Sequence, residues 1–344
     1  MTFERGGSRI GMVSKMHGTE EVEAAVTAAQ AGDEGAFAGL VERYRPELQV
    51  HCYRMLGSLE DSEDLTQETF LRAWRKRAGF KGRSTFRAWL YRIATNACLD
   101  ALARRPRRVS AQSEVPWLQP YPDELLDEVR ATEAQPDEVV VSKETIELAF
   151  LVAIQHLSPK QRATLILRDV LGWSAKDSAA LLDTSVASVN SALQRARATL
   201  KRRLPVRRLD WSPEGESTRE EQELVARYID ALERVDVPAL SAMLSDDARF
   251  SMPPEPGVWV GRDNIARSWV EGGLGSGDYT DFRCIAGRAN RQPAVANYIR
   301  KPGDREYRAL AVDMLRIEDG EITEIMGFGA DVFPRLGFPA KLSA

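Results

Sequence analysis

Residues 61–108 read DSEDLTQETFLRAWRKRAGFKGRSTFRAWLYRIATNACLDALARRPRR, a stretch that opens acidic and turns basic. Asp61, Glu63, Asp64 and Glu68 crowd its first turns. Arg72, Arg75, Lys76, Arg77, Lys81, Arg83, Arg87, Arg92, Arg104, Arg105, Arg107 and Arg108 follow, with Asp100 the one acid among them. Leu65, Phe70, Leu71 and Trp74 recur at helical spacing, as do Leu90, Ile93, Ala94, Ala97 and Leu102, so two amphipathic helices are expected. FKGRSTF between them is a Gly/Ser turn with two aromatics and two cations. Such a module offers an acidic helix to one macromolecule and a basic helix to nucleic acid. Phe80, Phe86, Trp89 and Tyr91 sit among the cations, the composition that stacks bases of melted DNA while Arg and Lys hold phosphates. Some of these rings must be core.

DLTQETFLRAWR followed by FRAWLYRIATNACLD resembles the conserved core domain of bacterial extracytoplasmic-function sigma factors. In that family the first segment docks on the clamp of core RNA polymerase, and the second melts and reads the minus-ten promoter element. The resemblance implies polymerase docking by Asp64, Gln67 and Glu68. It implies promoter contacts in the minus-ten region for Lys81, Arg83, Ser84, Phe86, Arg87, Trp89 and Asn96.

The rest of the chain fits around this stretch. Its 344 residues suggest two or three domains, and 43% hydrophobic content suffices for real cores. A net charge of −4 is low for a DNA binder, but the basic stretches are local and acidic segments elsewhere cancel them. The three cysteines, Cys52, Cys98 and Cys284, are scattered without CxxC spacing, which suits a reducing cytoplasm and indicates neither a zinc site nor a disulfide framework. No apolar run has the length of a membrane span, and the N-terminus lacks a signal-peptide core. No metal, cofactor or membrane partner is expected. His51 and Cys52 read as packing residues. Residues 1–18 are expected to be disordered and 19–108 to form the first helical domain, with helices from Thr19 to Gly32 and over Phe37–Tyr44, and a break or kink at Pro46.

Residues 109–142 read as an acidic, Pro-rich linker with at most a short helix over 124–130. Trp117 and Tyr121 are unusual for a tether, because large aromatics seek cover. Trp117, Leu118, Pro120, Tyr121 and Pro122 are therefore expected to dock on another domain, with the neighbouring acids near the basic DNA-reading helices. WLQPYPDELLDE resembles the regulatory linker of sigma factors that carry their own C-terminal extension.

Residues 143–204 return to helical period. Ser158, Pro159 and Gln161 form a capping box, Ser174 starts another helix, and DTSV turns into SVASVNSALQRARATLKRRL. Two short helices, a tight turn and a longer basic helix make a helix-turn-helix. Val189, Leu193, Ala196 and Leu200 should be buried. Ser188, Ser191, Gln194, Arg195, Lys201 and Arg202 should face outward, where Gln pairs with adenine and Arg with guanine or phosphate. This region resembles the sigma domain that reads the minus-thirty-five element.

After a linker at 205–217, residues 218–340 switch from helices to strand-like ARFSM, VWV, DFRCIAG, AVANYIR, YRALAVDMLRIED and EITEIMGFGA, with EDGE as a hairpin turn. The order and FSMPPEPGVWVGRDNI resemble SnoaL-like domains, α+β cones around a pocket. Phe250, Met252, Trp259, Trp269 and Tyr298 either line that pocket or fill it as core, with core favoured. Asp313 could face inward but lacks a visible partner, and His17, His51 and His156 all lie outside the domain. Catalysis is therefore not expected. The architecture expected is two all-α domains, the second a helix-turn-helix, followed by an α+β cone. The function expected is an alternative sigma factor whose partners are core RNA polymerase and promoter DNA. Its linker and cone would regulate it through intramolecular contacts, with a small-molecule ligand possible in the cone. A helix-turn-helix regulator with a ligand-sensing domain is the alternative, and a SnoaL-like cyclase or isomerase a more distant one.

Overall fold

The computed structural model describes residues 19–82, 84–104, 118–125, 156–203, 219–255, 257–277 and 280–343. The expected disorder at 1–18, the helix ahead of 156 and most of both linkers lie outside them. Among the described residues four α-helices make the first domain: α1 (Thr19–Gln30), α2 (Glu34–Leu56), α3 (Leu59–Lys76) and α4 (Phe86–Arg104). α2 runs unbroken through Pro46, where a break or kink was expected. An interior proline costs about 3 kcal/mol. Burial of Leu40, Tyr44, Leu48, Val50 and Met55 along the same helix outweighs it. Gly57, left-handed at φ 71°, then ends α2 with its N–H on the Tyr53 carbonyl.

The hidden face of α3 departs from the expected stripe. Ser62, Thr66, Thr69, Phe70 and Ala73 are buried, whereas Leu71 is 44% exposed. The three hydroxyls satisfy themselves on carbonyls of the preceding turn, at 2.6, 2.6 and 2.7 Å, so they bury as small residues and let α3 approach its neighbours closely. His51 is fully buried, its Nε2 2.9 Å from Thr95 Oγ1, and burial lowers it to about 3.

The second domain contains α5 (Pro159–Leu165), which runs on as a π turn over Ile166–Val170, then α6 (Ala175–Leu181) and α7 (Val186–Arg203). Ser158 and Gln161 close the capping box that starts α5. One continuous apolar cluster joins both helical domains, from Leu40, Leu90 and Ala94 to Leu165, Ile166 and Ala196. Arg162, itself buried, reaches from α5 to the carbonyl of Met55 near the end of α2. The Tyr91 and Trp173 rings meet at 5.4 Å.

The third domain places α8 (Arg219–Glu233), α9 (Val237–Ala242) and α10 (Arg262–Glu271) on a seven-stranded sheet. Its strands are β1 (Leu244–Ser251), β2 (Val258–Val260), β3 (Phe282–Ala289), β4 (Gln292–Ile299), β5 (Glu306–Glu318), β6 (Glu321–Gly329) and β7 (Lys341–Ser343). They lie in the order β2-β1-β6-β5-β4-β3, and β7 also pairs with β5. β1 runs parallel to β6 among otherwise antiparallel pairs, so the sheet is mixed. Asp319 at φ 52° and Gly320 at φ 79° make the expected turn between β5 and β6. All eight residues of β4 are buried, because helices cover one sheet face and a Phe333-centred cluster the other.

Candidate functional site

α3 presents the first group of candidate residues. Ser58 caps it, accepting from the Asp61 amide at 3.2 Å, and Glu60 and Asp61 occupy the first turn, where the helix dipole favours acids. Asp64 and Gln67 are exposed, and Glu68 is partly so. Their i, i+3, i+4 spacing puts all three on one outward face. Arg72 pairs with Glu68 at 2.7 Å and holds that carboxyl below its usual range.

The loop after α3 and the start of α4 divide the second group. Lys81, Ser84 and Asn96 are exposed, while Arg83 lies outside the described residues. Phe86 is only 8% exposed and packs on Phe80, Trp89 and Tyr44 with ring centroids 5.6, 5.5 and 5.9 Å apart. Trp89 is half-buried in the same cluster, and Tyr91 is buried. Phe86 and Tyr91 are therefore among the rings that belong to the core. Arg87 is also committed, pairing with the buried Glu47 at 2.6 Å. Gln30, which the sequence reading missed, donates to the carbonyls of Phe80 and Arg77 at 2.7 and 3.3 Å and sets the loop from α1. Glu47 carried a signal: it is an acid on the helix face that Tyr44, Leu48 and Val50 bury.

α7 carries the third group. Ser185 starts it, accepting from the Ser188 amide at 3.1 Å, and Val189, Leu193, Ala196 and Leu200 are buried as expected. Ser188, Gln194, Arg195, Lys201 and Arg202 are exposed and Ser191 is half-buried. Arg195 donates to Ser191 at 2.9 Å, which holds the guanidinium along the helix. Arg197 is spent otherwise: it grips Asp169 with two bonds of 2.9 and 2.7 Å and ties α7 to the π turn.

The linker segment carries the fourth group. Trp117 lies outside the described residues. Leu118, Pro120 and Tyr121 are buried and Pro122 is half-buried. Leu118 and Tyr121 join Val50, Tyr53 and Leu59, with the two tyrosine rings 4.5 Å apart. The Gln119 side chain accepts from the amides of Leu59 at 2.6 Å and Glu60 at 3.3 Å, a second cap on α3. On its other side the segment meets the β3–β4 turn, where Asn290 and Arg291 hold φ of 51° and 61°. The Asn290 amide donates to the Tyr121 carbonyl at 2.9 Å, and its side chain donates to the Gln119 carbonyl at 3.2 Å. The Tyr53 hydroxyl sits 2.6 Å from the Gln119 carbonyl and 3.0 Å from Asn290 Oδ1. Burial pushes this phenol far up, so it stays protonated. The linker acid Asp123 meets the Arg291 amide at 2.7 Å and Arg288 at 3.7 Å, not the basic DNA-reading helices as expected. The segment is thus a strap between the first and third domains.

The third domain also holds a cavity of about 290 Å³, lined by Phe250, Met252, Trp259 and Trp269 with Tyr228, Asn297 and Asp313. Four of the five aromatic and Met candidates therefore line a pocket where core was favoured. Tyr298 lies elsewhere, edge-on to Phe333 at 5.2 Å. Asp313 does have partners: Tyr228 Oη and Asn297 Nδ2 donate to its Oδ2 at 3.0 and 2.6 Å. Only folding brings α8, β4 and β5 together around it.

Three family models match the chain: Sigma-70 region 2 over residues 40–108, Sigma-70 region 4 over 147–200, and SnoaL-like domain over 225–325. The ECF RNA polymerase sigma factor SigG of Mycobacterium tuberculosis is 39% identical over 346 residues, spanning 93% of this chain and 90% of that protein. SigW of Bacillus subtilis, an ECF RNA polymerase sigma factor, is 30% identical over 173 residues, 50% of this chain and 91% of its own. The crystal structure of the Mycobacterium tuberculosis extracytoplasmic-function sigma factor SigJ superposes with a TM-score of 0.57 at 22% identity, covering 87% of this chain and 98% of that one. That last likeness is one of fold.

Proposed function

Because the chain belongs to the extracytoplasmic-function RNA polymerase sigma factors and ends in a SnoaL-like domain, we propose a division of labour among its surfaces. The protein is an alternative sigma factor. α3 docks on core polymerase through Asp64, Gln67 and Glu68. Lys81, Arg83, Ser84 and Asn96 contact the minus-ten element, with Trp89 behind them. α7 reads the minus-thirty-five element through Ser188, Ser191, Gln194, Arg195, Lys201 and Arg202. The SnoaL-like domain regulates these activities through the strap at 118–123. Among the described residues no helix is long and apolar enough to cross a membrane, and we place the protein's action in the cytoplasm with the polymerase.

The observation that carries the regulatory reading is the position of Gln119. It caps the helix assigned to polymerase docking, while Asn290 of the SnoaL-like domain holds the same residue's carbonyl. A shift of that domain therefore reaches the N-terminus of α3 directly. Run-off transcription from the promoter of the protein's own gene, with core polymerase and either the full chain or a version ending near residue 204, tests this. Both should support transcription, with yields differing several-fold. Equal yields would remove the regulatory role, and no transcript from either would remove the sigma assignment of the surfaces.

The α7 assignment makes a separate prediction. An Arg195→Ala, Arg202→Ala protein should bind upstream-element DNA more weakly, and the slope of log affinity against log salt should flatten by roughly 2, close to one per lost phosphate contact. An unchanged slope would place these cations away from DNA.

A further inference from the structure

The cavity in the SnoaL-like domain has an unusual electrical composition. Asp313 is 9% exposed and points its carboxyl into an aromatic box. Both of its hydrogen bonds fall on Oδ2, from Tyr228 and Asn297, which leaves Oδ1 without a partner among the described residues. Opposite it, Gly327 has no side chain to cover that oxygen; a Cβ there would stand 3.4 Å from it. Among the described residues no Lys, Arg or His lines the cavity. The walls are rings: Phe250 stacks on Trp259 with centroids at 5.3 Å and meets Trp269 edge-on at 5.9 Å. Met252 and Trp259 remain 40% and 37% exposed, so the mouth opens at the surface.

A carboxylate buried without a counter-charge is costly, and it is relieved by a proton or by a cation brought from outside. Indole faces attract cations through the ring quadrupole, most strongly where water is excluded. An anion would be repelled here, and a neutral apolar molecule would leave the carboxylate's cost unrelieved. We propose that this cavity binds a lipophilic organic cation, an apolar body carrying one ammonium group, with the Trp259, Trp269 and Phe250 rings around it and Asp313 as its counter-charge. The inference concerns binding alone, so its failure and that of the regulatory reading are read separately.

Burial pushes the Asp313 carboxyl up to about 6, against the pull of the Asn297 and Tyr228 donors. A proton and an ammonium group compete for the same oxygen. Affinity for a permanent cation is therefore full above that value and falls by up to about tenfold per pH unit below it. The other titratable groups facing the site behave differently. Burial raises Tyr228 and Cys284, which keeps both protonated at neutral pH. Glu233 is engaged by the Cys284 amide at 2.9 Å.

Calorimetric titration of the full chain with benzyltrimethylammonium and with neopentylbenzene, its uncharged isostere, tests the proposal. At pH 7.5 the cation should bind at least about tenfold more tightly, the rings offsetting its lost hydration and the counter-charge supplying the preference. Asp313→Asn should erase that preference while leaving the isostere unchanged. Trp259→Leu, at the mouth, should weaken the cation several-fold even if the first variant folds poorly. The preference in the unaltered chain should fade between pH 7 and pH 5. Equal affinity for the two probes, a preference that survives Asp313→Asn, or binding of neither would overturn the proposal.

Discussion

Core polymerase should bind the Asp64→Ala, Gln67→Ala, Glu68→Ala protein roughly a hundredfold more weakly than the unaltered chain, while the thermal midpoint barely moves. Polar side chains at the centre of an interface each contribute on the order of 1–2 kcal/mol, and about 3 kcal/mol in sum is a factor of about one hundred. The fold has little at stake. Asp64 and Gln67 are exposed, and the Glu68–Arg72 pair is a surface i, i+4 contact of small net value. Alanine is the best helix former and offsets part of what those contacts contributed. The cap from Ser58 and Gln119 and the buried Ser62–Thr66–Thr69–Phe70–Ala73 face stay intact. Binding measured by fluorescence anisotropy on core polymerase, with a melt of each protein, reads both halves. Normal binding by the triple variant would mean that another surface docks.

Tyr121→Ala should unfasten the strap without unfolding the protein. The ring is 1% exposed against Tyr53, Leu59, Val50 and Leu118, and removing a buried aromatic costs about 3–5 kcal/mol. Because the strap is short and peripheral, that loss should appear as local opening. The Leu59, Gln119 and Asn290 amides, which donate to Gln119 Oε1, Gly57 and Tyr121, should then exchange roughly a hundredfold faster or more. Transcription by this variant should move toward that of the chain ending near residue 204. Tyr53→Phe, which keeps the ring and loses one hydroxyl, should shift the same amides by less, about 1 kcal/mol for one hydrogen bond. Unchanged exchange at these three amides would make Tyr121 a filler of the first domain. Faster exchange with unaltered transcription would leave the strap structural only.

What could be read in advance was whatever repeats locally along the chain. The buried Val189–Leu193–Ala196–Leu200 stripe and its outward Gln194 and Arg195 follow from helical period. The capping box at Ser158 and the Asp319–Gly320 turn follow from residue chemistry within a few positions. α10 was missed, because RDNIARSWVE follows a strand-like run and carries little apolar periodicity beyond Ile265 and Trp269. The parallel pairing of β1 with β6 joins segments more than 70 residues apart, as Leu244 and Ile322 show, and no local pattern records it.

By itself the sequence determined the two helical domains, the helix-turn-helix face and the exposed acidic face of α3. Those properties depend on side-chain periodicity and short-range chemistry, which are complete in any twenty-residue window. Tertiary structure alone decided that Phe86 is held inside and Arg87 is tied to the buried Glu47, that Tyr121 and Gln119 clasp Asn290, and that Asp313 shares an aromatic cavity with Tyr228 and Asn297. Each of these joins residues from separate elements. Whether a ring stacks on a base or on a neighbour, and whether a carboxylate finds a partner, is settled by which surfaces exclude water together.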